Sequence, residues 1–149
     1  MPRNSATYDP AAVTFVWGVI QIVGYIDGTF IKAARAKKSY TKRVGADGEV
    51  VRSMTKDQSG TISFSLMSSA DCNALLSAAQ LADELTGAGV FPVLIKDGRG
   101  LDLCSAPFGW LTGSPDMEKA MEAGEVAWEM DCDFLTIFHG GLFKHGAAT

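Results

Sequence analysis

Two stretches of this chain alternate apolar and polar residues with a period of two, and that pattern restricts the fold more than any other feature. In Ser59–Met67, Ile62, Phe64 and Leu66 point one way while Ser59, Thr61, Ser63 and Ser65 point the other. In Gly124–Phe138, Val126, Trp128, Met130, Cys132 and Phe134 share one face and Glu125, Ala127, Glu129, Asp131 and Asp133 the opposite one. Helical spacing would scatter those acids around an axis, whereas a pleated strand collects them on one side. Both stretches are therefore half-buried strands of a sheet with a polar outer surface.

At 149 residues and 15.8 kDa the chain is one domain, 1–149, large enough for a continuous core without disulfides or structural metal. Its 47% apolar and 20% charged residues exclude a disordered chain. The net charge of −4 lacks the basic footprint of a dedicated nucleic-acid binder. That average hides an asymmetry: residues 1–75 hold nine Lys/Arg against six Asp/Glu, and residues 76–149 four against eleven. The uncharged stretch Ala11–Ile26, sixteen residues long, is shorter than the roughly 20 of a membrane helix and is interrupted by Gly18, Gln21 and Gly24. It has no signal-peptide flanks, and its Val, Ile, Phe and Trp content fits buried extended chain, one long strand or two with a bend near Gly18. Cys72, Cys104 and Cys132 are far apart and odd in number, which fits reduced, buried thiols rather than a disulfide framework or a zinc ribbon.

Other elements follow from turn and cap signals. Gly28–Ala36 is extended, and Gly45-Ala46-Asp47-Gly48 joins Ser39–Val44 to Glu49–Thr55 as a hairpin. Ser68-Ser69-Ala70-Asp71 resembles a capping box opening a helix of about 69–86, with Cys72, Leu75, Leu76 and Ala79 on its apolar face, broadened by Leu81, Ala82 and Leu85. Asn73, Ser77, Gln80 and Glu84 fill its polar side and Gly87 stops it. Asp97-Gly98-Arg99-Gly100 joins Val90–Lys96 to Leu101–Ser105 in a second hairpin. Pro107, Gly109, Gly113 and Pro115 read as breaks, with a short helical turn at Asp116–Ala123, and the Gly/Ala-rich 139–149 reads as a flexible or partner-ordered tail. Together these give a mainly β domain, an antiparallel β-barrel or two-sheet sandwich with one flanking α-helix.

The residues expected of an enzyme are missing. His139 and His145 stand six apart in a glycine-rich tail without a partner acid, Cys72 and Cys132 lie on apolar faces, and no phosphate-binding, dinucleotide-binding or nucleophile-elbow motif occurs. No catalytic residue, metal ligand or cofactor is assigned. Two features stand out instead. Lys32, Arg35, Lys37, Lys38, Lys42 and Arg43 form a basic tract without an acid between Asp27 and Asp47, read either as a solvated hairpin or as an arm reaching an acidic surface on another subunit. The acidic face Glu125, Glu129, Asp131 and Asp133 is either solvated or the wall of an aqueous lumen that a polyanion does not stick to, and the Ser/Thr face of Ser59–Met67 suits the same lining.

The segment Val44-Gly45-Ala46-Asp47-Gly48-Glu49-Val50-Val51-Arg52-Ser53, followed by Ser59-Gly60-Thr61-Ile62-Ser63-Phe64 and Asn73-Ala74-Leu75-Leu76, resembles the tail tube proteins of contractile-tailed bacteriophages. The opening Tyr8-Asp9-Pro10 with its hydrophobic strand is similar too. The resemblance implies a virion protein without enzymatic activity. Its copies would form homo-oligomeric, hexameric rings that stack head to tail into a tube inside a contractile sheath, as type VI secretion tubes do. Expected partners are the sheath protein, baseplate and tail-terminator proteins, and DNA passing without sequence-specific binding. No membrane insertion is expected, and assembly would take place in the host cytoplasm. On the family pattern a long hairpin arm, about Ala34–Thr55, reaches the adjoining ring and carries Lys37, Lys38, Lys42, Arg43, Asp47, Glu49 and Arg52. Glu125, Glu129, Asp131 and Asp133 would face the lumen. The alternative from the residues alone is a monomeric β-barrel binding a small ligand, or a thiol enzyme, motivated by the apolar content and the unpaired cysteines.

Overall fold

The structure, a computed structural model, describes residues 5–142, 144 and 145. Its body is one eight-stranded antiparallel sheet built from β2 (Val13–Trp17), β3 (Ile20–Ile22), β4 (Ile31–Arg35), β7 (Gly60–Met67), β8 (Phe91–Asp97), β9 (Leu103–Leu111), β10 (Glu125–Cys132) and β11 (Thr136–Phe138). The hydrogen-bonded order is β3-β2-β8-β9-β10-β7-β4, with β11 also on β9. Two separate ribbons complete it: β1 (Ser5–Ala6) with β12 (Lys144–His145), and β5 (Tyr40–Val44) with β6 (Val50–Met54). One α-helix, α1 (Cys72–Thr86), packs against the sheet.

The expected bend at Gly18 is a tight hairpin. Gly18 takes φ +61° and only Val19 separates it from β3, so Trp17 pairs with Ile20, the geometry that a glycine at the first turn position allows. The sheet then curls on itself. Leaving β3, the chain runs along the end of β7, where the Met67 N–H donates to the Gly24 carbonyl (2.8 Å) and the Ile26 N–H to Ser65 (3.3 Å). The inner face is filled by Phe15, Trp17, Ile22, Ile62, Phe64, Leu66, Trp128 and Met130, with Leu76 of α1 among them.

Several expectations need correction. The helix begins at Cys72, not near 69: Asp71 makes no side-chain cap, and the preceding turn is held by Ala70 N–H on the Met67 carbonyl and Asn73 Nδ2 on the same oxygen. Its apolar residues divide between two faces. Cys72 and Leu76 are buried, whereas Leu75, Leu81 and Leu85 face outward, and Gln80, expected outside, is buried with its Nε2 donating to Glu84. Gly87 does terminate it, at φ +70°. Residues 116–123 form no helical turn. Pro107 and Gly109 do not break the chain but lie inside β9. Val93 pairs with Ala106 and Phe91 with Gly109, so β9 carries one extra residue there, a bulge at which the missing N–H of Pro107 breaks no ladder bond.

The final strand also divides. β10 ends at Cys132, the chain bends through Asp133 and Phe134, and Leu135 turns inward to full burial while Phe134 is left exposed. The bend is held by Asp133 Oδ1 accepting the Phe134 N–H (2.8 Å) and by the Leu135 N–H on the Gln58 carbonyl (2.8 Å). The segment after His139 is tied to the body as far as it is described. Asp102 Oδ1 accepts the N–H groups of both Gly140 (2.9 Å) and Gly141 (3.0 Å), and Ser5 pairs with His145. The remainder of the expected tail, 143 and 146–149, lies outside the described residues.

Candidate assembly surfaces

The basic tract builds a projecting hairpin. β5 and β6 pair only with each other, from Tyr40↔Met54 to Val44↔Val50, and all ten of their residues are exposed. Gly48 (φ +89°) makes the turn, and Asp47 Oδ1 accepts the Glu49 N–H (3.2 Å), so Asp47 serves the turn itself. The root is fixed. Arg35 donates through Nε to the Leu135 carbonyl (2.8 Å) and through Nη1 to Ser39 Oγ (3.3 Å), and Lys37 lies 3.7 Å from Asp57. Asp57 also accepts from the hydroxyl and N–H of Ser59, which, with Lys37 nearby, holds its carboxyl below the usual carboxylate range.

Beyond the root the ribbon is unsupported. One face carries Tyr40, Lys42, Val44, Val50, Arg52 and Met54, with the Arg52 guanidinium 4.2 Å over the Tyr40 ring. Lys42 and Arg52 stand directly opposite one another, a like-charge pair that disfavours the ribbon. A two-stranded ribbon with neither face covered within the protomer is marginal in water.

The acidic strand and the hydroxyl strand are neighbours. β10 and β7 pair Glu125↔Met67, Ala127↔Ser65, Glu129↔Ser63 and Asp131↔Thr61, so two faces that the sequence shows separately form one surface. Thr61 Oγ1 donates to Asp131 Oδ1 at 3.0 Å. Lys32 on β4 pairs with Ser63 and so places one cation at the margin of this surface. Asp133 is not part of it, because it sits in the bend after β10. Underneath, Trp128 donates through Nε1 to Asn73 Oδ1 (3.0 Å), which fastens α1 to the same strand. Sequence reading missed Lys32 as a neighbour of the acids, since only strand order brings β4 beside β7.

The thiols lie in the interior. Cys72, Cys104 and Cys132 are all buried; burial pushes the Cys104 thiol up to about 11, and burial, with Cys104 and two aspartates nearby, pushes Cys132 up to about 12. Both stay protonated near neutrality. Among the described residues no group of three His, Cys, Asp or Glu is placed to hold a metal ion, and no helix is long and apolar enough to cross a membrane. Among the described residues the surface recesses include one of about 470 Å³ between β4 and the β9–β11 edge and one of about 380 Å³ between α1 and the β2–β3 turn.

The family model for the bacteriophage PhiTE tail tube protein matches residues 17–140, and the chain belongs to that family. It is a structural tail-tube component of the virion. No curated protein sequence matches it. Cryo-EM structures with this fold include the tube-terminating cap of the anti-feeding prophage, with TM-score 0.57 and 13% identity over 90% of this chain and 92% of that one. The sheath–tube complex of the extracellular contractile injection system PVC in its extended state gives 0.55 and 12% over 89% and 91%. The sheath/tube terminator of the same system gives 0.56 and 10% over 91% and 99%.

Proposed function

We propose that this chain closes into hexameric rings that stack head to tail as the inner tube of a contractile tail, conduct DNA without sequence-specific binding, and carry out no catalysis. The observation that supports this most is the pairing of β7 with β10. It makes one continuous surface of hydroxyls and carboxylates, a wall that hydrates well and repels a passing polyanion. Glu125, Glu129 and Asp131 are its lumen-facing acids. The hairpin 36–55 is the inter-ring arm, with Lys37, Lys38, Lys42, Arg43 and Arg52 as its cations and Asp47 and Glu49 shaping its turn. The sheath protein surrounds the stack, baseplate and terminator proteins close its ends, and assembly takes place in the host cytoplasm.

Negative-stain electron microscopy of the purified chain over a concentration series, with light-scattering mass alongside, tests the reading. Rings and hollow tubes are expected. A particle that stays at chain mass up to the solubility limit would count against it and favour a ligand-binding barrel.

A further inference from the structure

The ladder between β7 and β10 is the longest among the described residues, eight residue pairs from Gly60↔Cys132 to Met67↔Glu125, or about 25 Å at the usual rise. The basic hairpin leaves one end of it, re-entering at Gly60. At the opposite end, beside Glu125, lies the loop 112–124 between β9 and β10. The two projections occupy opposite poles of one rigid element.

This loop is unusual for its exposure. Residues 116–124 are all exposed, and Met117 and Met121 stand almost wholly in solvent at 85% and 105%. Large apolar side chains displayed this way mark a contact surface, and methionine adapts its shape to what it meets. Pro115 near the start, Gly124 at the stop and the four-residue spacing of Met117 and Met121 are helix signals, yet nothing in the protomer covers such a helix. The loop bears Asp116, Glu118 and Glu122 against Lys119, and among the described residues none of these acids has an ion-pair partner.

The hairpin is its complement. It shows uncovered Val44, Val50 and Met54, and an opposed Lys42–Arg52 pair that a facing carboxylate would relieve. We propose that the loop 112–124 of one copy is the dock for the hairpin of the next copy. Met117 and Met121 pack on Val44 and Val50, and Glu118 and Glu122 face Lys42 and Arg52. This inference rests on reading the hairpin as an inter-ring arm and names the surface that receives it. Because dock and arm lie at opposite poles, each added copy buries one pair and presents another, the condition for open axial growth through a heterologous contact.

The test uses the full chain, sedimentation of assembled stacks and circular dichroism of the protomer. Lys42→Glu with Arg52→Glu, and separately Glu118→Lys with Glu122→Lys, should each lower sedimenting stacks about tenfold or more at constant fold. The four substitutions combined should restore them. Loop reversal without effect, beside a disruptive arm reversal, overturns the dock and leaves the arm reading intact. Harmless arm reversal removes the arm reading and the dock with it. Loss in both variants without rescue by the combined chain also overturns the dock. If a reversed chain misfolds, Val44→Cys and Met117→Cys chains are mixed and oxidised; the native thiols are buried and do not compete. A disulfide-linked dimer of the two is expected, and its absence overturns the proposal.

Discussion

The ring of Phe15 meets the ring of Phe64 edge-on, 5.0 Å between centroids and 67° between planes, although β8, β9 and β10 separate their strands in the sheet. That contact crosses the interior and joins the two halves of the curled sheet. Both rings are fully buried. Phe64→Ala is expected to lower unfolding stability by about 3–5 kcal/mol in denaturant titration. Combined with Phe15→Ala it should cost less than the two single changes added, since the second truncation finds the contact already gone. Full additivity would show that the rings are not coupled.

The thiols give a pH signature. Cys104 and Cys132 ionise near 11 and 12 in the fold and near 9 when unfolded, so above pH 9 the unfolded chain binds fewer protons than the folded one. Their contribution is fully present below pH 9 and is lost as pH rises from there toward 12. Thermal unfolding should shift to lower temperature over that window, and less so in a chain with both thiols replaced by alanine. At pH 8 neither thiol should react with a maleimide until denaturant is added.

Asp102 is the clasp of the C-terminal segment, because one carboxylate oxygen receives two successive backbone N–H groups. Asp102→Ala should cost about 1–2 kcal/mol. Hydrogen exchange should quicken first at Leu101, whose N–H donates to Gly141, while amides of the β7–β10 ladder keep their protection. Uniform loss of protection would show the clasp to be part of the global core.

Under the proposed assembly, Glu125, Glu129 and Asp131 are dispensable for closure but set the charge of the channel. Replacing all three by lysine should leave tubes of normal length that retain added DNA at low salt and release it as ionic strength rises. Tubes that ignore DNA in both conditions would place this face elsewhere.

Much of this fold is legible in the chain because the signals are local. Alternation in Ser59–Met67 and Asp47-Gly48 at a turn each need only neighbours in sequence, and the structure has β7 and the β5–β6 hairpin at those places. What the sequence hides depends on contacts between distant segments. Pro107 and Gly109 look like breakers until β8 supplies a register in which a bulge takes up the extra residue. Phe134 follows the alternation but loses its buried place to Leu135, because Gln58 captures the Leu135 N–H and resets the phase. The helix signals at 115–124 find no apolar surface to cover, and short helices seldom persist without one. The surface of acids and hydroxyls is half legible: each strand shows its polar face, but their adjacency depends on sheet order.

The way the hairpin is rooted has a mechanical consequence. Its two legs lead through the short segments 36–39 and 55–59 into β4 and β7, which lie side by side, with β7 bonded along its other edge to β10 over eight residue pairs. A pull along the hairpin drags β4 and β7 together past β10, so the ladder is loaded in shear and its hydrogen bonds must yield collectively instead of unzipping one by one. If the hairpin is the inter-ring arm proposed above, axial tension on it passes into the eight-pair β7–β10 ladder.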